Sequence, residues 1–281
     1  MPRLGVLGWP VAHSRSPAMH NAALRALGMD DWRYQLLPAP PERFAEIVRA
    51  LPAAGFLGAN VTIPHKQAAL ALADTASPAA GAIGAVNTLT FQADGTVAAE
   101  NTDAPGLLAA LGVPVAGMSA QVLGAGGSAR AVVWALREAG ASEISVWNRT
   151  PERACELARE LDVGAVDHPR PAELLVNCTS VGLGRPGPER RGPELKQSAT
   201  EPDGLNLLEL TFDQVGNYSH VVDLVYSSPS TALLAAAQAH GAHTVDGLEF
   251  LLAQGALSFE LWTGVAAPLQ VMRHALRGEQ P

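Results

Sequence analysis

The sequence predicts an α/β protein of two domains, the second built on a doubly wound parallel sheet. Three observations carry this reading. The chain has 281 residues, about two domains at roughly 150 residues each. Hydrophobic residues make up 48% of it, enough for sizeable cores and too much for a disordered chain. Short β-rich runs alternate with helical ones along its length, the rhythm of βαβ units.

Taken in order, residues 4–8 read as a strand, 17–27 as a helix and 33–37 as a strand. A helix over 41–51 follows, with Phe44, Ile47, Val48 and Leu51 on one face. Next come strand 59–63 and helix 64–72. Strands 88–91 and 97–100 form a hairpin about the Asp94-Gly95 turn. The remainder of this half favours a mostly parallel sheet. A second unit opens at Asp103 with helix 104–111 and strand 120–123. It continues through a glycine-rich loop, helix 128–138, strand 143–147, helix 151–161, and strands 173–178 and 220–224. Residues 248–262 and 268–276 read as closing helices. The stretch 184–219 is rich in Pro, Gly and charge and reads as a loop or mobile excursion. The domains expected are thus 1–102, completed by 246–281, and 103–245.

Nineteen basic and 27 acidic side chains leave a net charge of −8 with no long Lys/Arg run. That balance argues against a nucleic-acid or anionic-membrane partner, though not against a local basic pocket for a phosphate or a carboxylate. Two cysteines, Cys155 and Cys178, are too few for a disulfide framework or a zinc cage, which points to the cytoplasm. No signal-peptide core is visible, and no run approaches the ~18 apolar residues of a membrane span.

The motif V-L-G-A-G-G-S-A-R follows an apolar strand and opens a helix. Gly124, Gly126 and Ala129 occupy the three positions of the dinucleotide fingerprint in its G-x-G-x-x-A form. Backbone without Cβ atoms can approach a pyrophosphate, and N–H groups at the helix start, including those of Gly127 and Ser128, can bind it. An ordinary tight turn is the plainer alternative, but strand, loop, helix and second strand stand in the order the motif requires. Where enzymes that use NAD place an acidic residue, this chain has Asn148, Arg149 and Thr150, with Arg153 a turn later. Two guanidinium groups and a hydroxyl suit a 2′-phosphate, so NADP is expected; a solvated i, i+4 pair is the alternative for Arg149 and Arg153.

Polar clusters gather near strand ends in the first half: residues 13–17, 60–66, 87–88 and 101–103. The carboxyl edge of an α/β sheet is where ligands bind. Each member also has a structural reading: Ser16 or Asp103 as a helix N-cap, Thr62 as an alternating strand residue, Asn87 as a turn former. His13, His20 and His65 lack metal-ligand spacing and read as surface or supporting groups, and no metal site is expected.

The segments SRSPAMHNAAL, GANVTIPHK, GAVNTL, ENTDAPGLL, VLGAGGSARA, VWNRTPERA, VNCTSVG, VVDLVYSSPSTALL and VDGLEFLLAQGALSF together resemble the shikimate dehydrogenase family, from residue 5 to about 264. The resemblance implies an N-terminal α/β substrate domain, a Rossmann-type NADP-binding domain and a cleft between them. It implies reversible NADP-dependent reduction of 3-dehydroshikimate to shikimate. Carried over residue by residue, Ser14 and Ser16 would bind the substrate carboxylate, and Asn60, Thr62, Asn87 and Asp103 its hydroxyls. Lys66 would stand beside the reacting oxygen as the principal acid/base with Asp103 as its partner. Gln254 and Tyr226 would complete the substrate pocket. Thr179, Ser180, Leu224 and Gly247 would line the nicotinamide side. The stretch 185–219 is longer and more charged than the family's usual link, and Phe250 replaces a common methionine. A quinate/shikimate enzyme with broader cofactor use and a non-catalytic shikimate-binding regulator are the competing readings. A homodimer is compatible with all three.

Overall fold

The structure is a computed structural model and describes residues 1–183, 203–226 and 230–279. The chain divides into two compact units, Met1–Leu107 with Leu251–Pro281, and Leu108–Phe250. Both divisions fall inside helices, a few residues beyond the boundaries expected at 102/103 and 245/246. The two ends of one helix can pack on different cores, so the division follows the change of packing partners and not the nearest loop.

Unit 1 is a six-stranded sheet in the order β2-β1-β3-β5-β6-β4. It comprises β1 (Arg3–Gly8), β2 (Arg33–Pro38), β3 (Phe56–Val61), β4 (Thr75–Ala76), β5 (Thr88–Phe91) and β6 (Val97–Glu100). Strand β1 runs parallel to β2 and β3, whereas β5 is antiparallel to both β3 and β6. Parallel pairing holds β2, β1 and β3 together, as expected, and the expected hairpin adds the antiparallel strand β5 between β3 and β6.

Helices α1 (Ser16–Ala26), α2 (Phe44–Ala50), α3 (Lys66–Leu72) and α4 (Pro78–Ile83) cover this sheet. In α1 the buried side chains are Ser16, Met19, His20, Ala23 and Leu24, the i, i+3, i+4, i+7, i+8 stripe of a helix with one face in the core. Residues 41–43, expected in α2, form a separate 3-10 turn. Helix α4 and the two-residue β4 escape sequence reading because PAAGAI carries no apolar period. A local cap specifies α4, with Ser77 Oγ accepting from the Ala80 N–H at 3.1 Å and Gly84 closing it in the left-handed conformation.

Three expectations change here. Ser16 is the first helical residue of α1, not its N-cap; Arg15 holds that position, and the Ser16 N–H donates to Ser14 Oγ at 3.3 Å. His20 and His65 are not surface groups: they are 0% and 2% exposed. The His65 ring stacks on Phe44 and its Nε2 lies 2.7 Å from the Ala39 carbonyl oxygen.

Unit 2 is a six-stranded parallel sheet in the order β12-β11-β10-β7-β8-β9. Its strands are β7 (Ser119–Leu123), β8 (Glu143–Trp147), β9 (Gly164–Ala165), β10 (Leu174–Asn177), β11 (His220–Asp223) and β12 (His243–Val245). Helix α5 (Asp103–Leu111) leads in from unit 1, and α6 (Gly127–Glu138) and α7 (Pro151–Leu161) connect the first strands. In α7 the buried residues Ala154, Leu157, Ala158 and Leu161 again keep the helical period. Arg130 of α6 pairs with Glu160 of α7 at 2.5 Å. Strand β7 lies between β10 and β8, so the sheet is wound in both directions from the strand that carries the glycine loop.

The stretch 185–219 is not one loop. Residues 184–202 lie outside the described residues, but α8 (Asp203–Asn206) and α9 (Phe212–Val215) are ordered helices. Leu205, Leu208, Leu210, Val215 and Tyr218 join the core with Leu233 and Leu234 of α10 (Ala232–Ala239). Burial of these apolar side chains outweighs the local Pro and Gly signals, which are concentrated before residue 203. The chain closes with α11 (Gly247–Thr263) and α12 (Leu269–Arg277). Among the described residues no helix is long and apolar enough to cross a membrane.

Burial pushes the His20 imidazole from its ordinary 6.5 down to about 3. Between those values the unfolded chain binds a proton that the folded chain refuses. Stability therefore falls as pH drops through that window, by about 1.4 kcal/mol per pH unit from this one group. His20→Phe keeps a flat ring and removes the proton site. Urea unfolding at about pH 6.5, 5.5 and 4.5 is expected to show a shallower acid slope in the variant. Equal slopes would mean that His20 charges freely in the folded protein.

Candidate active site

In unit 1 the polar clusters meet at one edge of the sheet, and strand direction is the reason. Asn60 is at the C-terminal end of β3 and pairs with Thr88, the first residue of β5, which in turn pairs with Glu100, the last of β6. Antiparallel pairing thus brings Asn87, just before β5, and Asn101, Thr102 and Asp103, just after β6, to the C-terminal end of β3. All six of Asn60, Asn87, Thr88, Asn101, Thr102 and Asp103 are buried.

The central element is an ion pair. Lys66, the first residue of α3, bonds through Nζ to Asp103 Oδ2, and the two side chains are 11% and 2% exposed. Two buried charges persist only when paired and further hydrogen-bonded. The second oxygen of Asp103 accepts from Asn87 Nδ2 at 2.7 Å. That same Nδ2 approaches Thr102 Oγ1 at 2.9 Å and Gln254 Oε1 at 3.1 Å. Asn87 Oδ1 accepts from the Thr102 N–H at 2.7 Å and from the Thr88 hydroxyl at 3.2 Å. Asn87 is therefore a hub and not a turn former. Asp103 does not cap its helix either, for the Ala104 N–H goes to Asn101 Oδ1 at 3.1 Å.

Gln254 reaches this network from α11, where Gly106 makes room. A Cβ on Gly106 would lie 2.7 Å from Gln254 Cβ and 2.9 Å from its backbone. Ser14, in the connection from β1 to α1, and Ser16, the first residue of α1, are joined Oγ to Oγ at 3.2 Å. Thr62 follows β3, where its N–H donates to the Leu7 carbonyl at 2.8 Å and its carbonyl accepts from the His65 N–H. Tyr226, expected with the substrate residues, belongs to unit 2 and is partly buried just after β11. Sequence reasoning passed over Tyr34, and it marked Asn101 and Thr102 only as members of the 101–103 cluster, without the supporting role that their hydrogen bonds give them. An aromatic or a hydroxyl inside an apolar run carries no local sign of its partner.

In unit 2 the expected cofactor residues stand beyond the C-terminal ends of five parallel strands, β7, β8, β10, β11 and β12. Gly124 leaves β7 with φ +108°, and a Cβ there would lie 3.1 Å from the Cys178 carbonyl carbon. Gly126 is the N-cap of α6, has no side chain to cap the helix, and faces open space where a Cβ would stand. Gly127, Ser128 and Ala129 form the first turn. A glycine cap and a bare helix N-terminus of twelve residues fit a pyrophosphate. After β8, Asn148 Nδ2 donates to the Thr150 carbonyl at 2.9 Å, shaping a turn from which Arg149 and Arg153 are both exposed. No acidic residue stands between Trp147 and Pro151.

Beyond β10 and β11, two residues that sequence reasoning did not single out organise the loops. Asn177 and Asp223 are wholly buried, with Asn177 Nδ2 donating to Asp223 Oδ1 at 2.9 Å. Asn177 Oδ1 accepts from the Thr179 N–H at 3.0 Å and from its hydroxyl at 2.7 Å. Asp223 accepts from the Val225 N–H at 3.1 Å and from the Thr231 hydroxyl at 2.7 Å. Burial raises the Asp223 carboxyl to about 6, against the pull of these hydrogen bonds. Ser180 is exposed, and the Leu224 N–H donates to the Asn177 carbonyl at 3.0 Å. Gly247 approaches the same turn so closely that a Cβ would lie 2.6 Å from the Val225 carbonyl carbon and oxygen.

The left-handed φ of Gly124 and its contact with the Cys178 backbone leave no low-energy place for a methyl group. Gly124→Ala is expected to cost about 1–3 kcal/mol of stability and to weaken dinucleotide binding. Chemical denaturation and a fluorescence titration with NADP check this. An alanine variant of unchanged stability and affinity would show the turn to be tolerant.

Three family models match the chain. They are the shikimate dehydrogenase substrate binding domain over residues 6–89, shikimate/quinate 5-dehydrogenase over 108–176, and the shikimate 5′-dehydrogenase C-terminal domain over 247–277. The shikimate dehydrogenase (NADP(+)) of Paracoccus denitrificans is 42% identical over 277 residues, covering 94% of this chain and 91% of that one. A counterpart in Thermus thermophilus is 46% identical over 286 residues, covering 99% and 98%. The crystal structure of shikimate 5-dehydrogenase from Thermus thermophilus, in complex with NADP(H) and shikimate, aligns with a TM-score of 0.83 at 42% identity over 99% of both chains. With a substrate-domain model on the first unit, a dehydrogenase model on the second and relatives matched over nearly their whole length, the chain belongs to the shikimate dehydrogenase family.

Proposed function

We propose that this chain is an NADP-dependent oxidoreductase that reversibly reduces 3-dehydroshikimate to shikimate, a step of the shikimate pathway to chorismate and the aromatic amino acids. The observation that carries the reading is the buried Lys66–Asp103 pair, held by Asn87 at the edge where Asn60 and Gln254 converge. A binding protein without chemistry has no need to bury an ammonium and a carboxylate together, since such a pair adds little stability over apolar side chains.

NADPH supplies the two-electron reducing equivalent when bound. The chain's own residues then handle the proton and the geometry. Reduction of the C3 ketone develops an alkoxide that needs positive charge and a proton, and the Lys66 ammonium supplies both. Asp103 keeps that ammonium in place. In the oxidative direction the pair takes up the hydroxyl proton. Asn87 holds the Asp103 carboxylate, and its bonds to Thr102 and Gln254 tie that carboxylate to the pocket's walls. Ser14 and Ser16 orient the substrate carboxylate through hydroxyl donors, without a salt bridge, which keeps binding reversible. Asn60, Thr62 and Gln254 serve the ring hydroxyls, and Tyr226 contributes from the turn after β11.

On the cofactor side, Gly124, Gly126, Gly127, Ser128 and Ala129 form the pyrophosphate turn. Asn148, Arg149, Thr150 and Arg153 are assigned to the 2′-phosphate, and Thr179, Leu224 and Gly247 to the nicotinamide side. We place the protein in the cytoplasm, in keeping with Cys155 and Cys178, neither of which is in a disulfide.

The deciding assay is reduction of NADP and of NAD with shikimate and with quinate. Fast turnover only with NADP and shikimate supports the proposal, whereas equal use of quinate or NAD would give it to a broader enzyme. Lys66→Ala is expected to lower kcat by about 10²–10⁴-fold with a much smaller change in substrate affinity. Near wild-type turnover in the folded variant would remove the mechanism's main actor. Arg149→Ala is expected to raise KM for NADP by about ten- to a hundredfold, the loss of one charge-assisted contact, and to leave NAD use nearly unchanged. Equal losses with both cofactors would overturn the 2′-phosphate assignment.

A further inference from the structure

The segment SPAMHN at the start of α1 carries two residues that the reaction leaves unused. His20 is wholly buried, and neither of its ring nitrogens has a hydrogen-bond partner among the described residues. Burying an imidazole in that state is unfavourable, so its contribution lies in how the ring packs. It lies flat on Tyr34, with centroids 4.2 Å apart and planes within 5°. Phe259 and Trp262 enclose it from α11, at 6.1 Å and 5.9 Å. Asn21, the next residue, grips the backbone of Tyr34 with both ends of its amide. The Tyr34 N–H donates to Oδ1 and Nδ2 donates to the Tyr34 carbonyl, each at 2.9 Å. His20 thus sets the plane of the ring and Asn21 the position of its backbone. The result is a tyrosine, 3% exposed, whose hydroxyl donates to Asn60 Oδ1 at 2.7 Å.

The amide of Asn60 is thereby fixed at both ends. Its Nδ2 donates to the Asn87 carbonyl and to Thr88 Oγ1, both at 3.2 Å. A carbonyl oxygen only accepts, so a flipped amide would set oxygen against oxygen at Asn87. With both N–H bonds committed, Asn60 has only an Oδ1 lone pair left to offer. We propose that Tyr34 is a positioning residue for substrate recognition. Held by His20 and Asn21, it locks Asn60 in the orientation that accepts a hydrogen bond from a substrate hydroxyl and cannot donate one. A hydroxyl is admitted there, and a keto or ether oxygen at the same place is refused. The identity of the hydroxylated substrate rests on the shikimate reading above.

Tyr34→Phe removes the hydroxyl and keeps the stacked ring and the Asn21 clamp, so the variant retains the fold. KM for shikimate is expected to rise by about three- to thirtyfold, with kcat and the KM for NADP within about threefold of wild type. If Tyr34 acts through Asn60, the double variant Tyr34→Phe/Asn60→Ala loses no more affinity than Asn60→Ala alone. The side-chain amide NMR signals of Asn60, assigned by their loss in Asn60→Ala, read the lock without substrate. They should be one slowly exchanging pair in the wild type and broaden in Tyr34→Phe. An unchanged KM, additive losses in the double variant, or unchanged amide signals would each overturn the proposal. If the wild type turns over no shikimate, the functional reading falls and the amide signals alone decide, broadening in support and constancy against.

Discussion

An ammonium and a carboxylate buried side by side impose conditions on everything around them. The Lys66–Asp103 pair has lost most of its water, and the strength of the interaction in a medium of low polarity is matched by the penalty for any unmet hydrogen bond. The surrounding residues answer that penalty one atom at a time. Asn87 meets the second carboxylate oxygen, Thr102 and Thr88 meet Asn87, and Gln254 meets the same amide from a segment 167 residues further along the chain. Much of unit 1 is arranged to satisfy this group of atoms, which accounts for the density of Asn and Thr among its buried side chains.

Strand direction is what makes the arrangement attainable. In an all-parallel sheet the start of β5 would lie at the edge opposite the end of β3, far from Asn60. The antiparallel run of β5 returns Asn87 and Thr88 to that edge, and the hairpin to β6 delivers Asn101, Thr102 and Asp103 there as well. The short connection at residues 92–96 therefore decides which polar groups can meet. The same economy holds at α11, where Gly106 and Gly255 let the helix come close: a Cβ on Gly255 would lie 2.3 Å from Met19 Cε. Ser258, Phe259 and Trp262 then enter the core, and Trp262 Nε1 donates to the Leu89 carbonyl at 3.0 Å.

Unit 2 solves a different problem, that of presenting backbone to a ligand. Its strands end in turns that are pinned from below, Thr179 by Asn177 and Val225 by Asp223, with a direct bond between the two pinning residues. Two glycines, Gly124 and Gly247, lie against these pinned turns where any side chain would collide. The buried Asp223 is tolerated because three donors converge on it, although burial still raises it to about 6. Rigidity at the turns and absence of Cβ atoms at the glycines are complementary halves of one surface.

Much of this was legible in the sequence, and the limits follow from the range of the interactions involved. Local signals located β1, β5 through β8, α6, α7 and the glycine loop, because apolar period, turn residues and caps act within a few positions. The same signals marked Lys66, Asp103, Asn60 and Asn87 as polar residues at the ends of apolar runs. They missed α4 and α10, whose small residues have no strong period, and the helices at 203–215, which are stabilised by a distant core. They left His20 and His65 open between surface and supporting positions, since nothing adjacent in the chain reveals that Tyr34 and Phe44 lie flat against them. The sequence by itself determined which chemistries are present and the order in which they occur. Only the tertiary structure decided that Tyr34 meets Asn60, that Asn87 is a hub and that Asn177 meets Asp223, because a hydrogen bond depends on distance and direction, and both are set by how remote segments pack.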